Sequence, residues 1–416
     1  FRMRGHEEAS GTKYVPKKLM EAWAKKDPLE NFENYLVSEG HIDESYITDL
    51  RKQIKSEINH DLKLAQNEGP VESDVTTETR DVYAPCYDEW IHPSETKVSM
   101  RFIDAISDGL KCAMEKYPKT VFMGQDIADY GGVFKITEGF VEQFGSEKIR
   151  NTPLCESAIL GIGLGVSMMG YKAMVEMQFA DFVTCGFNQI VNNLAKIHYR
   201  WGHAADLVIR MPCGAGVGAG PFHSQTNEAW FTHTPGLKIV YPSNPVDAKG
   251  LLISSFEDPN PVLYFEHKAL YRNLTDEVPE GYYNIPIGKG VYVKQGDQLS
   301  IITYGMGVHW ATAACEKLGV SADIVDLRSL QPLDYNIIEE TVKKTNKVIL
   351  LHEDSMFGGI GGEISAYISE HLFEHLDGPI KRVASLDTPI PFANALEEKY
   401  LANYRLDDAI TELIKY

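Results

Sequence analysis

Near the start of the chain the apolar positions keep the period of a helix. Leu29, Phe32, Tyr35 and Leu36 form one stripe. Asp27 precedes it as a cap, Pro28 takes the first helical position, Glu30 is placed for a capping box, and Gly40 supplies a stop. From about Asp43, Ile47, Leu50, Ile54, Ile58 and Leu62 draw a second stripe, so residues 1–66 are predicted to be helical. Two amphipathic helices cannot bury their apolar faces alone, and these must pack onto something else. The pattern then fails. Residues 67–96, which contain N-E-G-P-V-E-S-D-V-T-T-E-T-R, are acidic and turn-rich and predict a linker.

Beyond residue 97, short apolar runs alternate with helical segments. Runs at 121–124, 173–177, 207–211, 238–241 and 262–266 read as strands, with helices at 102–116 and 187–199. A turn-rich stretch near 280–284 interrupts the series. Strands then resume at 299–304, 323–327, 347–352 and 380–385. Strand, helix, strand in succession requires parallel sheets covered on both faces. The predicted fold class is therefore α/β, with two parallel-sheet domains at 97–282 and 283–416 preceded by an α-helical segment.

Composition narrows the function. The 416 residues are 44% hydrophobic and 24% charged, which excludes wholesale disorder. The formal charge of −19 repels phosphate backbones and anionic lipid, so neither nucleic acid nor a membrane surface is an expected partner. No run approaches the ~20 apolar residues of a membrane span. The six cysteines form no C-x-x-C and no zinc-ligand spacing, so they read as buried, reduced thiols in a cytoplasmic protein. The opening F-R-M-R-G-H lacks an initiator methionine, and something ahead of Phe1 is expected to have been removed.

Generic catalytic templates mostly fail. Gly161, Gly163 and Gly165 resemble a dinucleotide fingerprint but lack its spacing, and close helix packing explains them. His352-Glu353 has no second histidine at the spacing of a zinc protease. Gly358-G-I-G-G reads as a tight strand-to-helix turn or as an anion site at a helix start. Two features stand out. Glu156, in N-T-P-L-C-E-S, sits at a loop-to-helix entry before an apolar run. It is either a helix N-terminal charge or a functional carboxylate in an apolar setting. His223, in P-F-H-S-Q, follows the glycine-rich run Gly214-A-G-V-G-A-G, as a residue on a site loop would.

Taken in order, N-T-P-L-C-E, E-M-Q-F-A-D-F, F-H-S-Q, H-T-P-G-L-K-I-V-Y-P, D-A-K-G-L-L, D-L-R-S-L-Q-P-L-D and G-G-I-G-G-E-I carry a family resemblance. Residues 97–416 resemble the beta subunit of the thiamine diphosphate-dependent, decarboxylating component of 2-oxo acid dehydrogenases. Residues 1 to about 65, beginning R-M-R-G-H-E-E-A-S-G, resemble the last part of its alpha subunit. The resemblance covers nearly all the chain. It implies an alpha–beta fusion, with a transketolase-like pyrimidine-binding domain followed by a transketolase C-terminal domain.

By the same resemblance, Glu156 is the acid that protonates the aminopyrimidine ring, and Leu154, Gln178 and Phe182 line its pocket. Phe182 stands where tyrosine is common. His223 matches the beta-subunit active-site histidine. His6 matches an alpha-loop histidine near the diphosphate, and Glu7 replaces the serine that regulated animal relatives phosphorylate. Potassium is implied at Ala205, Leu207, Val208, Ser255, Asp258 and Asn260, mostly through backbone carbonyls. Magnesium is implied too, but its G-D-G motif does not occur in these residues and is expected on the earlier part of alpha.

The resemblance implies three partners: that alpha-type region, a second alpha–beta unit, and a lipoyl acyltransferase. E-M-Q-F-A-D-F leans toward the branched-chain branch and 2-oxoisovalerate. The alternatives are a pyruvate or acetoin dehydrogenase component, a non-catalytic assembly half, and a transketolase-like ketol transferase.

Overall fold

Asp27 accepts from the amides of Leu29 and Glu30 at 2.8 and 3.3 Å and starts the helix Pro28–Ser38 in the computed structural model. The reciprocal half of the capping box does not form, because the Asp27 amide is already donated to the Ala24 carbonyl. The structure describes residues 1–7, 9–72, 74–86 and 89–416. Glu8 lies outside the described residues, as do Ser73, Tyr87 and Asp88 of the expected linker.

The chain divides into two units, Phe1–Asp74 and Val75–Tyr416. In the first, Lys17–Ala24 and Glu44–Asn67 are also helical, and Asp43 caps the longer by accepting from the Tyr46 amide at 2.8 Å. Arg51 on the long helix forks onto Glu33 of its neighbour at 2.7 and 2.8 Å. The Leu50, Ile54, Ile58 and Leu62 stripe stays exposed.

In the second unit the expected linker region carries a short helix, Val75–Arg80, and residues tied to the α/β body. The Ala84 amide donates to Asn260 and the Ile91 amide to Asn284. Strands then follow in chain order: β1 Lys97–Arg101, β2 Thr120–Gly124, β3 Ile149–Asn151, β4 Lys172–Glu176, β5 Leu207–Cys213, β6 Lys238–Val240 and β7 Val262–His267. After these come β8 Thr275–Pro279, β9 Val291–Lys294, β10 Leu299–Thr303, β11 Ala322–Asp326, β12 Ser329–Gln331, β13 Val348–Ser355 and β14 Lys381–Ser385.

Among the described residues seven strands form one sheet in the order β12-β6-β7-β5-β4-β2-β3, and five form another, β14-β13-β10-β11-β9. Both are parallel at their centres. Antiparallel strands sit at two edges, β12 against β6 and β9 against β11, and β1 pairs with β8 as a separate ribbon. The edge strands β9 and β12 are only four and three residues long, too short for an apolar run, which is why the hydrophobic pattern did not announce them.

The helix Phe102–Lys116 shows why the larger sheet is covered. Phe102, Ile106, Leu110 and Ala113 recur at helical spacing and are fully buried. Each large one contributes roughly 1.5–3 kcal/mol by leaving water. This helix packs on Pro245–Glu257, where Gly109 allows the approach: a Cβ there would stand 3.3 Å from Leu252. The expected helix 187–199 is broken into a π-helical turn, Gln189–Leu194, and a short helix, Ile197–Trp201. Its apolar spacing is helical throughout. The break falls where the Gly236 backbone presses on the Ala195 carbonyl, leaving 1.9 Å for any Cβ on Gly236.

Candidate functional site

Parallel strands deliver their carboxyl ends to one edge of a sheet, and loops there are free to carry chemistry. In the larger sheet that edge receives Gln125 and Asp126 after β2, Glu156 after β3, Gln178 and Phe179 after β4, and the glycine-rich loop after β5. Glu156 is the first residue of the helix Glu156–Met168, so its charge also meets the positive end of the helix dipole. Gln125 Nε2 donates to Glu156 Oε1 at 3.1 Å, and the other end of that amide, Gln125 Oε1, is buried with no partner among the described residues. Gln178 Nε2 lies 3.4 Å from Asp126 Oδ2. Leu154, on the approach to Glu156, is 80% exposed.

His223 stands against two aromatic edges. Its ring lies 4.7 Å from Phe179 and 5.5 Å from Phe182, and the two phenyl rings are 5.6 Å apart. Beneath them Asp181 is buried, and its Oδ1 accepts from the Gln225 amide and side chain at 3.3 and 2.8 Å. Asp181 Oδ2 has no partner among the described residues. The segment Ala180–Gly186, which holds Asp181 and Phe182, packs on the start of the Glu156 helix, where Gly186 leaves room for Leu160.

Sequence reasoning picked out Glu156, Gln178, Phe182 and His223, and the structure sets all four in the segments that follow the strands at this edge, Glu156 at a helix start and Phe182 in the helical segment Ala180–Gly186. It missed Gln125, Phe179 and Asp181. The signal for Phe179 and Asp181 was their place inside E-M-Q-F-A-D-F; Gln125 lies 31 residues from Glu156 and no local pattern links the two. His6 is exposed in the Phe1–Asp74 unit.

Behind the loop the electrostatics are those of buried charge. Burial lowers Lys268, whose ammonium donates to the Gly214 carbonyl at 2.8 Å. Burial, with Asp354 nearby, pushes the Glu228 carboxyl well above its usual range, and Tyr304 donates to it at 2.6 Å. Cys155 and Cys185 are exposed, which corrects the reading of all six thiols as buried; only Cys213 and Cys315 are.

A carboxyl beside an amide oxygen that has no partner among the described residues supplies a proton donor and an acceptor of the kind an aminopyrimidine ring requires, so these residues fit thiamine diphosphate. The potassium positions lie at the opposite edge of the sheet, at the start of β5 and in the helix end and connection that lead into β7. Their side chains are already committed. Asp258 pairs with the Lys238 ammonium and accepts from Asn260, Asn260 holds Ala84, and Ser255 donates to the Leu251 carbonyl. Backbone carbonyls are what that site leaves for a cation, and the Ala205 carbonyl already accepts from the Leu207 amide at 2.8 Å. No group of three or more His, Cys, Asp and Glu suited to a metal occurs among the described residues.

Comparison with known proteins agrees with this architecture. Family models match for the transketolase pyrimidine-binding domain over residues 98–273, the transketolase C-terminal domain over 288–405, and the dehydrogenase E1 component over 1–73. The 2-oxoisovalerate dehydrogenase subunit beta of Bacillus subtilis is 46% identical over 324 residues, covering 76% of this chain and 99% of that protein. A mitochondrial protein of the same description from Dictyostelium discoideum is 44% identical over 71% of this chain and 81% of its own length. The pyruvate dehydrogenase E1 component subunit beta of Staphylococcus aureus is 40% identical over 73% of this chain and 95% of its own length. A solved chain described as a split gene transketolase, inactive beta4 tetramer, matches with a TM-score of 0.61 at 21% identity, covering 76% of this chain and 98% of that one; it bears on fold alone. No helix among the described residues is long and apolar enough to cross a membrane. With this fold, this site edge and this degree of identity, the chain belongs to the beta-subunit family of 2-oxo acid dehydrogenase E1 components, a thiamine diphosphate-dependent family whose beta subunits associate with an alpha subunit.

Proposed function

We propose that this chain forms the aminopyrimidine half of an active site that oxidatively decarboxylates a branched-chain 2-oxo acid, 2-oxoisovalerate, and passes the acyl group to a lipoyl-lysine. In that reaction the bond between the carboxylate and the carbonyl carbon breaks and carbon dioxide leaves. The acyl carbon bonds one lipoyl sulfur, and the disulfide, reduced by the electron pair, takes a proton on its other sulfur. Bound thiamine diphosphate supplies the carbon nucleophile and electron sink for that cleavage. Glu156 holds the proton for the aminopyrimidine ring, and Gln125 orients its carboxyl. Phe182 and Leu154 shield the ring, and Gln178 closes its side. His223, set against Phe179 and Phe182, moves a proton at the substrate oxygen. The observation that carries the reading is Glu156 fixed at a helix start beside Gln125, on the edge that also bears His223.

The same reading divides the chain into an alpha-like helical part at 1–66, a linker at 67–96, and domains at 97–282 and 283–416. It places magnesium and the diphosphate on an alpha-type region, with His6 on the loop facing them. On this reading a potassium ion is held by backbone carbonyls alone, those of Ala205, Leu207 and Val208 and of Ser255, Asp258 and Asn260, whose side chains are already committed. The working assembly is a cytoplasmic dimer of alpha–beta units that docks an acyltransferase.

The test is turnover of the assembly with its alpha-type region, comparing 2-oxoisovalerate with pyruvate. Glu156→Ala is expected to reduce turnover by at least about 10²–10⁴-fold with an unchanged melting temperature. Wild-type turnover in that variant overturns the assignment. A higher kcat/KM for pyruvate, the substrate named for the Staphylococcus aureus relative, replaces the branched-chain reading. Ketol transfer between sugar phosphates would replace the dehydrogenase reading itself.

A further inference from the structure

The loop that leads to His223 repeats glycine at every second position, and Gly214, Gly216, Gly218 and Gly220 all have φ between 69° and 95°. The residues between them do not. Backbone in which φ alternates in sign turns successive amides toward one concave side, a geometry that captures an anion. Here the anions are two side chains from the C-terminal half of the chain. Glu397 is 4% exposed; its Oε1 accepts from the Gly216 amide at 2.8 Å and its Oε2 from the Gly218 amide at 3.1 Å. Glu353 Oε1 accepts from the Ala215 amide at 2.7 Å, while its Oε2 meets His267 Nε2 at 2.7 Å. Burial alone would raise Glu353; His267, the Ala215 amide and Lys268 outweigh it and hold the carboxyl below its ordinary value. Gly220 lies under the Phe392 ring, where a Cβ would come within 2.4 Å.

His223 needs this support because its own ring makes no hydrogen bond among the described residues; two phenyl edges and the backbone on either side are what place it. On the far side Asp181 holds Gln225, and Ala180 accepts from the Asn227 side chain at 2.9 Å. On the near side the anchor is the pair of carboxylates from the other half of the chain.

We infer that Glu397 is a positioning residue for His223, acting through the Gly216 and Gly218 amides, with Glu353 fixing the start of the same loop. The inference rests on the reading of His223 as a proton-transfer group. Glu397→Gln keeps the size of the side chain but offers one acceptor oxygen where two amides need one each.

The experiment combines hydrogen exchange of residues 214–223 with steady-state kinetics on the assembled enzyme. In Glu397→Gln the loop amides should exchange about tenfold faster. The kcat should fall about 10- to 100-fold, as a catalytic group displaced by about an ångström would require, with KM within twofold. Glu398→Gln, on the exposed neighbour, should change neither. Unchanged loop exchange overturns the inference, and so does a loosened loop with unchanged kcat. Should Glu397→Gln fail to fold, Glu397→Asp carries the test: loop protection and kcat must fall together, and loss of one without the other overturns the role. His223→Ala separates the two readings. Undiminished turnover there removes the role of His223, whereas a loss there with an unaffected Glu397→Gln removes this inference alone.

Discussion

His352 is 2% exposed, donates from Nδ1 to the Asp354 carbonyl at 3.1 Å, and has Nε2 buried against Gly359 and Gly361 with no partner among the described residues. Burial, with Arg382 nearby, holds its pKa at about 4 against an ordinary 6.5, so the folded protein keeps the ring neutral. Between those values the unfolded chain takes a proton that the folded one refuses. Stability from this group is therefore complete above pH 6.5 and is lost as pH falls toward 4, by at most about 1.4 kcal/mol per unit. Asp354, also buried and raised to about 6, works in the opposite direction. Urea unfolding of the wild type and His352→Asn at pH 7, 5.5 and 4.5 isolates the imidazole: the cost of the substitution should shrink as pH falls, and a constant cost would refute the assignment. At this scale the sequence exposed residues whose chemistry is carried by local motifs, such as Glu156 and His223. It could not expose Gln125 or Glu397, because Glu397 meets Gly216 across 181 residues of chain and only the fold closes that distance.

Among elements, the helix Glu156–Met168 shows how one glycine motif divides into different roles. A Cβ on Gly163 would stand 3.0 Å from both Leu207 and Val175, so that face lies directly on β4 and β5. Gly165 is exposed with nothing within 4 Å of a Cβ, and Gly161 looks toward the Gln189 side chain. Gly163→Ala should therefore cost about 1–3 kcal/mol by overpacking, less what alanine returns in helix propensity. Gly165→Ala should stabilise by up to about 1 kcal/mol. Thermal melts of the two variants check this, and equal effects would mean the helix does not seat on the sheet through Gly163. The packing reading of these glycines was legible because their spacing denied a dinucleotide site. Which glycine does the packing was not, since helical period alone does not say where a neighbouring strand comes closest.

Across the whole second unit, the halves of the chain are joined through one core. Tyr241 and Phe265 of the first half pack in the same cluster as Ile302, Tyr304 and Leu350 of the second, and the Tyr241 and Tyr304 rings are 5.4 Å apart. Arg328 forks onto Asp247 at 2.7 and 2.8 Å, and β12 completes the edge of a sheet built by the other half. Calorimetry of residues 75–416 should accordingly show a single cooperative transition, and two separated transitions would mean that this shared core does not couple the sheets. By itself the sequence determined the α/β class, the central strands and the long helices, because these depend on apolar periodicity and on caps within a few residues. It also determined the family, through ordered motifs. Tertiary structure decided the antiparallel edges, the break between Leu194 and Ile197, and the carboxylates that hold the loop before His223. Each of these is a contact between segments far apart in the chain, and its free energy exists only once the core has brought them together.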